Sequence, residues 1–298
     1  MPEMQPFGAM TYPAEVLAID IGGTKMAAGL VGGSGVVTWS KQSPTPPGGS
    51  AEELWRTVAE LVAAVPAGAT PAGCGVGCGG PMTRYGEEVS PLNIPGWRGF
   101  PLRARLSELT GLPTWVDNDA KALALGEGWV GEAAGQANYL SMVVSTGVGG
   151  GIVLDGRLLE GESGNAGHIG HVIVEPEGRV CGCGARGCLE AEASGTAIAS
   201  WTGADPALAG PEVKERTGRL VGRAVATVAN LLDLGLATVA GSVALGYGPR
   251  FFEAAQAELS ARARLSFSVS CRIAPSRLGR LGPLVGAAAV GLKGLADD

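Results

Sequence analysis

The chain has 298 residues, a formal net charge of −6 and no run of Lys or Arg. That length can bury a substantial core, as one large domain or two ordinary ones. The charge excludes the basic footprint that nucleic acid or an anionic membrane surface would require.

Fifty Gly beside only 17% charged residues point to many loops of unusual backbone angle and a lightly charged surface. Residues 1–13 hold no Lys or Arg and no apolar stretch, so they do not read as a signal peptide. No apolar run reaches about 18 residues, the length a membrane-spanning helix needs. A cytoplasmic protein is expected. Its six Cys are then expected to be metal ligands, core thiols or redox groups rather than disulfides.

In chain order, residues 1–14 read as a loose tail. Residues 15–20 (EVLAID) form a short apolar run that ends at Gly22 and Gly23, the pattern of a strand entering a tight turn. Residues 26–31 and 36–41 read as the next two strands. Ser50 with Glu53 makes a capping box, and Leu54, Val58, Leu61 and Val62 follow at helical spacing. Residues 72–78 are a buried strand closed by Gly79, Gly80 and Pro81. Three strands, a helix and a strand make an α/β pattern. The second half echoes it: a strand over residues 138–145, a Gly-rich turn over 146–151, and a further strand beginning at 152–154. Long helices are expected over 213–234, 251–264 and 283–295, with a short strand at 236–240 ending on Gly241.

The first turn, Asp20-Ile21-Gly22-Gly23-Thr24-Lys25, can point several backbone N–H groups at one anion, with Thr24 and Lys25 adding donors. Asp20 is suited to hold Mg²⁺ through water. A plain Gly-turn hairpin is the simpler reading of this turn alone. The second turn, around Thr146 and Gly147, has the wrong Gly spacing for a dinucleotide fingerprint. Neither turn is a Walker A loop, but their corresponding places in two half-chains suggest a grip on a polyphosphate from both sides.

The chain has two His, His168 and His171, and Cys181, Cys183 and Cys188 follow close behind. His171 with these three Cys fits a tetrahedral structural zinc site. Cys74, Cys78 and Cys271 lack partners at useful spacing and are expected in the core. Asp119, at a strand-to-helix junction, suits a helix cap or a catalytic base. Glu190 suits a first-turn helix position, and Asn93 suits a turn.

These residues resemble the ROK family of sugar kinases and repressors, within the actin-like ATPase (ribonuclease H-like) superfamily. The motifs are AIDIGGTK (18–25), NDAK (118–121), VSTGVGGGIV (144–153), AGHIGH (166–171), CGCGARGCLEAEASG (181–195) and AGSVALG (240–246). The resemblance implies two α/β domains around a cleft. The expected boundaries are a tail at 1–14, a smaller domain of 15–118 plus about 283–298, and a larger one of 119–282 with the zinc loop. It implies Asp119 as general base, with Gly80, Asn93, Asn118, His168, His171 and Glu190 at the sugar. It places Asp20, Gly22, Gly23, Thr24, Lys25, Thr146 and Gly147 at the phosphates and Gly241 beside the nucleoside. His171, Cys181, Cys183 and Cys188 match the family's zinc ligands. ATP, Mg²⁺ and a structural Zn²⁺ are the implied cofactors, and a homodimer or homotetramer the implied assembly.

Two departures from the family pattern matter. Glucokinases of the family usually carry Glu where this chain has His168. A neutral His offers one donor and one acceptor, a match for an N-acetyl group. The AGHIGH form is similar to the family's bacterial N-acetylmannosamine kinases. The expected substrate is therefore N-acetylmannosamine, with glucose as the alternative and a prop for His171 as the simpler role of His168. Ala240-Gly241-Ser242 also stands where a Gly pair is usual. Family repressors carry an N-terminal helix-turn-helix module. About fifteen residues precede Val16 here, and the chain is acidic, so a kinase is expected over a regulator, while retention of both phosphate loops and Asp119 argues against a non-catalytic sugar-binding protein.

Overall fold

The structure is a computed structural model and describes residues 14–297. Residues 1–13 of the expected tail lie outside the described residues. The elements run β1 (Val16–Ile21), β2 (Lys25–Val31), β3 (Val37–Pro44), α1 (Ala51–Ala63), β4 (Gly73–Cys78), α2 (Leu102–Thr110), β5 (Thr114–Asn118) and α3 (Asp119–Val130). Then follow β6 (Tyr139–Val144), β7 (Val148–Leu154), β8 (Arg157–Leu158), α4 (Leu189–Ala193), α5 (Gly195–Thr202) and α6 (Pro211–Leu232). The last are β9 (Leu236–Ala240), α7 (Ser242–Tyr247), α8 (Pro249–Arg262), β10 (Arg272–Pro275) and α9 (Gly282–Asp297). No helix among the described residues is long and apolar enough to cross a membrane.

The chain divides into two compact units. One holds the residues through Gly135 with Leu158–Ala166 and Leu278 onward. The other holds Gln136–Arg157 and Gly167–Arg277. The boundary expected at Asp119 differs from this division, because α3 stays with the first unit. There Gly126 of α3 meets Gly286 of α9 so closely that an added β-carbon would lie 3.1 Å from its backbone.

Each unit is built on a five-stranded sheet, and the two strand orders correspond: β3-β2-β1-β4-β5 and β8-β7-β6-β9-β10. In both, an antiparallel pair (β1 with β2, β6 with β7) adjoins parallel strands (β4 and β5, β9 and β10). The half-chain echo in the sequence is thus the same sheet built twice.

In the first unit β1 and β4 are buried along their whole length, as strands covered on both faces are. Leu17, Ile19 and Ile21 join one core with Leu54, Val58 and Leu61 of α1 and Leu102 and Leu106 of α2. Each such burial stabilises by about 1.5–3 kcal/mol. The capping box starts α1 as its sequence predicts: Ser50 accepts from the Glu53 N–H, and Glu53 accepts from the Ser50 N–H. α2 shows no side-chain cap bond and carries little apolar periodicity, so the sequence gives little sign of it.

Candidate active site

Parallel strands in register end together, and the loops that follow them must gather at one edge of the sheet. In the first unit Ile21 is level with Cys78, and Cys78 with Asn118. The Gly22–Lys25 turn, the Gly79–Gly80 loop and Asp119 therefore leave the sheet side by side.

The first turn presents donors. Its carbonyls bond within the protein: Gly22 accepts from the Thr45 hydroxyl at 2.6 Å, Thr24 from the Thr45 N–H at 3.0 Å, and Lys25 from the Gly22 N–H at 3.0 Å. The N–H groups of Gly23 and Thr24 have no bond recorded among the described residues. With the exposed Thr24 hydroxyl and Lys25 ammonium they make an anion-ready loop.

Asn93 packs on this turn. A β-carbon on Gly23 would lie 2.9 Å from the Asn93 side chain, and one on Gly79 would lie 3.2 Å from its Oδ1. The chain carrying Asn93 is fixed by the Trp97 indole, which donates to the Ala51 carbonyl at 3.2 Å, and by the Leu92 N–H on the Gly80 carbonyl at 3.1 Å.

Asn118, not Asp119, is the N-cap of α3. Its Oδ1 accepts the Ala120 N–H at 3.0 Å and the Lys121 N–H at 3.4 Å. Asp119 is the first helical residue, and its Oδ1 shares the Ala120 N–H at 2.8 Å. The cap reading of Asp119 gives way because the helix starts one residue earlier than a cap at that position requires. Gly77 lies between the acids of this edge: a β-carbon there would sit 3.6 Å from Asp119 Cα and 4.0 Å from Asp20 Oδ1. Burial first, then the charge of Asp119, pushes the Asp20 carboxyl up to about 7, against the pull of Lys25. Asp20, so placed, suits a divalent cation held through water.

The second unit repeats the pattern. The carbonyls of Ser145, Thr146 and Gly147 accept the N–H groups of Gly195, Thr196 and Ser145 at 2.7, 3.2 and 2.9 Å. The N–H groups of Thr146 and Gly147 have no bond recorded among the described residues. The turn is shorter than expected, since β7 already begins at Val148 and residues 149–151 are strand. Those glycines let the AGHIGH segment lie flat on the strand. A β-carbon on Gly167 would meet the Gly150 carbonyl at 2.5 Å, and Gly167 itself sits at φ +99.

Glu190, in the first turn of α4, accepts the Val148 N–H at 2.9 Å and so braces the second turn. Gly241 begins α7 at φ +101. A β-carbon there would strike the Val144 carbonyl at 2.2 Å, which holds it against β6. The Ser145 and Ser242 hydroxyls pair at 3.0 Å beside it. His168 is exposed, with its ring 6.1 Å from that of His171.

His171, Cys181, Cys183 and Cys188 come together with their ligand atoms all within 4.8 Å of one another. Cys183 Sγ is 3.8 Å from Cys188 Sγ, and Cys181 Sγ is 3.7 Å from His171 Nδ1. Zinc–sulfur bonds of about 2.3 Å in a tetrahedron give edges of about 3.8 Å. The Ala185 backbone bond leads in lowering the Cys183 thiol, while burial pushes Cys188 up to about 12. No fifth His, Cys or carboxylate joins the group among the described residues. Cys74, Cys78 and Cys271 are buried thiols, as expected.

One constellation at this edge has no role in the sequence reading. Lys121, 2% exposed, pairs with Asp117 at 3.0 Å and with Glu160. Its signal was a lone cation in the apolar run of α3, four residues after an Asp. Glu160, far along the chain, gave none.

The sequence profile of the ROK family matches residues 16–293. The chain is 39% identical over 252 residues to N-acetylmannosamine kinase of Escherichia fergusonii, covering 78% of this chain and 84% of that one. It is 40% identical over 249 residues to N-acetylmannosamine kinase of Citrobacter koseri, with coverage of 78% and 84%. Among solved structures, the ROK hexokinase of Thermus thermophilus superposes with a TM-score of 0.80 at 34% identity, covering 95% of this chain and 100% of that one. The ROK glucokinase of Streptomyces griseus, in complex with glucose and AMPPNP, superposes with a TM-score of 0.82 at 28% identity, covering 94% and 99%. With a family profile spanning nearly the whole described chain and relatives at this identity and coverage, the chain belongs to the ROK family.

Proposed function

We propose that this chain is an ATP-dependent sugar kinase that transfers the γ-phosphoryl group to the 6-hydroxyl of a hexose, N-acetylmannosamine before glucose. The observation that carries the reading is the sheet edge where Asp119, relieved of capping by Asn118, stands beside Asp20 and a turn with N–H groups to spare. Asp119 takes the proton from the 6-hydroxyl as that oxygen bonds to the γ-phosphorus. The bond from the γ-phosphorus to the bridging oxygen breaks, and ADP leaves with the electron pair. The N–H groups of Gly23, Thr24, Thr146 and Gly147, the Thr24 hydroxyl and Lys25 hold the phosphates, and Gly241 lies by the nucleoside. Such preorganised donors stabilise charge as it spreads over the transferred group. Asp20 suits Mg²⁺, which when bound neutralises phosphate charge.

Gly80, Asn93, Asn118, His168, His171 and Glu190 serve the sugar. Asn118 spends its Oδ1 on the cap and keeps Nδ2 as a donor. His171 turns Nδ1 to the sulfur cluster and keeps Nε2 for a hydroxyl. The cluster suits a structural zinc held by His171, Cys181, Cys183 and Cys188, which would fix His171 and the start of α4. N-acetylmannosamine is favoured by His168 and by relatives of that name at 39–40% identity. Glucose is favoured by the likeness to a ROK glucokinase in complex with glucose and AMPPNP, at 28% identity.

The test is ADP production from Mg·ATP with N-acetylmannosamine, glucose, mannose, N-acetylglucosamine and fructose. A site built for the N-acetyl group discriminates by ~10⁴-fold, since its polar partners go unpaired with the wrong sugar. A strong preference for N-acetylmannosamine supports the full reading. Preference for glucose keeps the kinase and removes His168 as its specificity residue. No sugar-dependent ADP overturns the kinase.

A further inference from the structure

Lys121 is almost fully buried, and buried ammonium groups persist only when fully paired. Its three N–H donors meet three acceptors: Asp117 at 3.0 Å, the Gly164 carbonyl at 3.1 Å, and Glu160. Burial opposes the charge, but Asp117 and Glu160 hold the ammonium above its ordinary range. Two of the three acceptors belong to one segment, Leu158–Ala166, which the chain enters from β8 and leaves at Gly167 and His168.

That segment has little else to hold it. Leu158 is buried, but from Leu159 to Ala166 every residue is half-buried or exposed. Its internal bonds run from the Ala166 N–H to the Glu160 carbonyl at 3.0 Å and from Asn165 Nδ2 to the Ser163 carbonyl at 3.1 Å, and Asn165 Nδ2 also reaches the Met82 carbonyl at 3.3 Å. Lys121 thus supplies two of the strap's attachments from the helix that begins with Asp119. His168 follows the strap after Gly167.

We infer that Lys121 is a positioning residue for the sugar: it pins the Leu158–Ala166 strap to α3 and thereby fixes the segment that carries His168 and His171. This rests on the sugar-kinase reading. It assigns Lys121 no contact with sugar or phosphate, and it predicts an effect on the sugar site alone.

The experiment compares wild type, Lys121→Met and Glu160→Gln by steady-state kinetics and by amide hydrogen exchange. Lys121→Met leaves Asp117 buried without its cation and can fail to fold. Glu160→Gln, at a half-exposed position, keeps the Lys121–Asp117 pair and removes only the charge on the strap. The expected result is a sugar KM raised by about ten- to a hundredfold, the worth of one charge-assisted bond, with the ATP KM little changed. Faster exchange should be confined to residues 158–171. A strap exchanging at the wild-type rate in Glu160→Gln overturns the inference. So does an ATP KM that rises in step with the sugar KM, since that marks a general loss of structure. If wild type makes no sugar-dependent ADP, the kinase reading fails by itself, and the inference fails with it if calorimetry shows equal sugar binding in wild type and variant.

Discussion

Asp119 stands next to Asp20, and its charge bears on the buried Asp20 carboxyl. Burial and the charge of Asp119 push the Asp20 carboxyl up to about 7, with Lys25 opposing. Asp20 is buried because β1 is covered on both faces, and it is near Asp119 because β1, β4 and β5 end in register with only Gly77 between them. The sheet thereby places the two acids together.

The raised Asp20 value fixes a pH dependence. Between about 4 and about 7 the folded chain holds a proton on Asp20 that the unfolded chain has released. Stability of the ligand-free protein therefore falls as pH rises through that window and levels off above it. Asp20→Asn removes this contribution, which is on the order of a few kcal/mol. Denaturant unfolding at pH 5 and pH 8 should show wild type losing more stability than the variant. Parallel losses in the two proteins would contradict the assignment. The same variant should lose most Mg·ATP-dependent turnover.

Asp119→Asn should keep the fold, because Asn118 and not Asp119 caps α3. Sugar binding should persist, and kcat should fall by at least ~10²–10⁴, the usual worth of a general base. Thermal unfolding and calorimetry with the sugar check the first two, and the ADP assay checks the third. Turnover near wild type would remove Asp119 from the chemistry.

Local signals carried much of the fold. The capping box of Ser50 and Glu53, the apolar runs of β1 and β4, and the Cys spacing each act over a few residues, and each has its structure. The glycines at 149–151 misled as a turn because a strand glycine is read from what packs on it, and here that is the distant AGHIGH segment. Asp119 was open between cap and base because a one-residue shift of the helix start decides it. The Glu190 bond to Val148 and the Lys121 pair with Glu160 join residues 42 and 39 positions apart, beyond any local pattern. The site roles themselves came from whole motifs, not from single residues.

Gly23 should resist even Ala. The added β-carbon would sit 2.9 Å from Cβ, Cγ and Nδ2 of Asn93, so either Asn93 or the turn must move. Displacement on the scale of 1 Å costs roughly 10²-fold in a positioned site. Gly23→Ala should therefore lower kcat/KM for the sugar by about that factor. Shortening the obstructing side chain in Asn93→Ala should add much less in the Gly23→Ala background than alone, because the two changes share one contact. Simple additivity would show that Gly23 and Asn93 act apart.

Metal removal tests the sulfur cluster. Elemental analysis of metal-replete protein should give one zinc per chain. A strong chelator should lower Tm, and a loss of even ~2 kcal/mol shifts Tm by several degrees at this chain length. The effect should be selective, because the cluster is joined to the rest of the unit through His171 and through α4, which begins right after Cys188. Sugar KM should rise as His171 is freed. ATP binding should weaken as Glu190 releases the Val148 N–H and the turn beside it. Cys183→Ser should reproduce both changes without chelator, since Cys183 is the exposed member of the cluster and opens it with least disturbance of the core. Full activity and unchanged Tm in a zinc-free Cys183→Ser protein would show that the four residues hold this region together by packing alone.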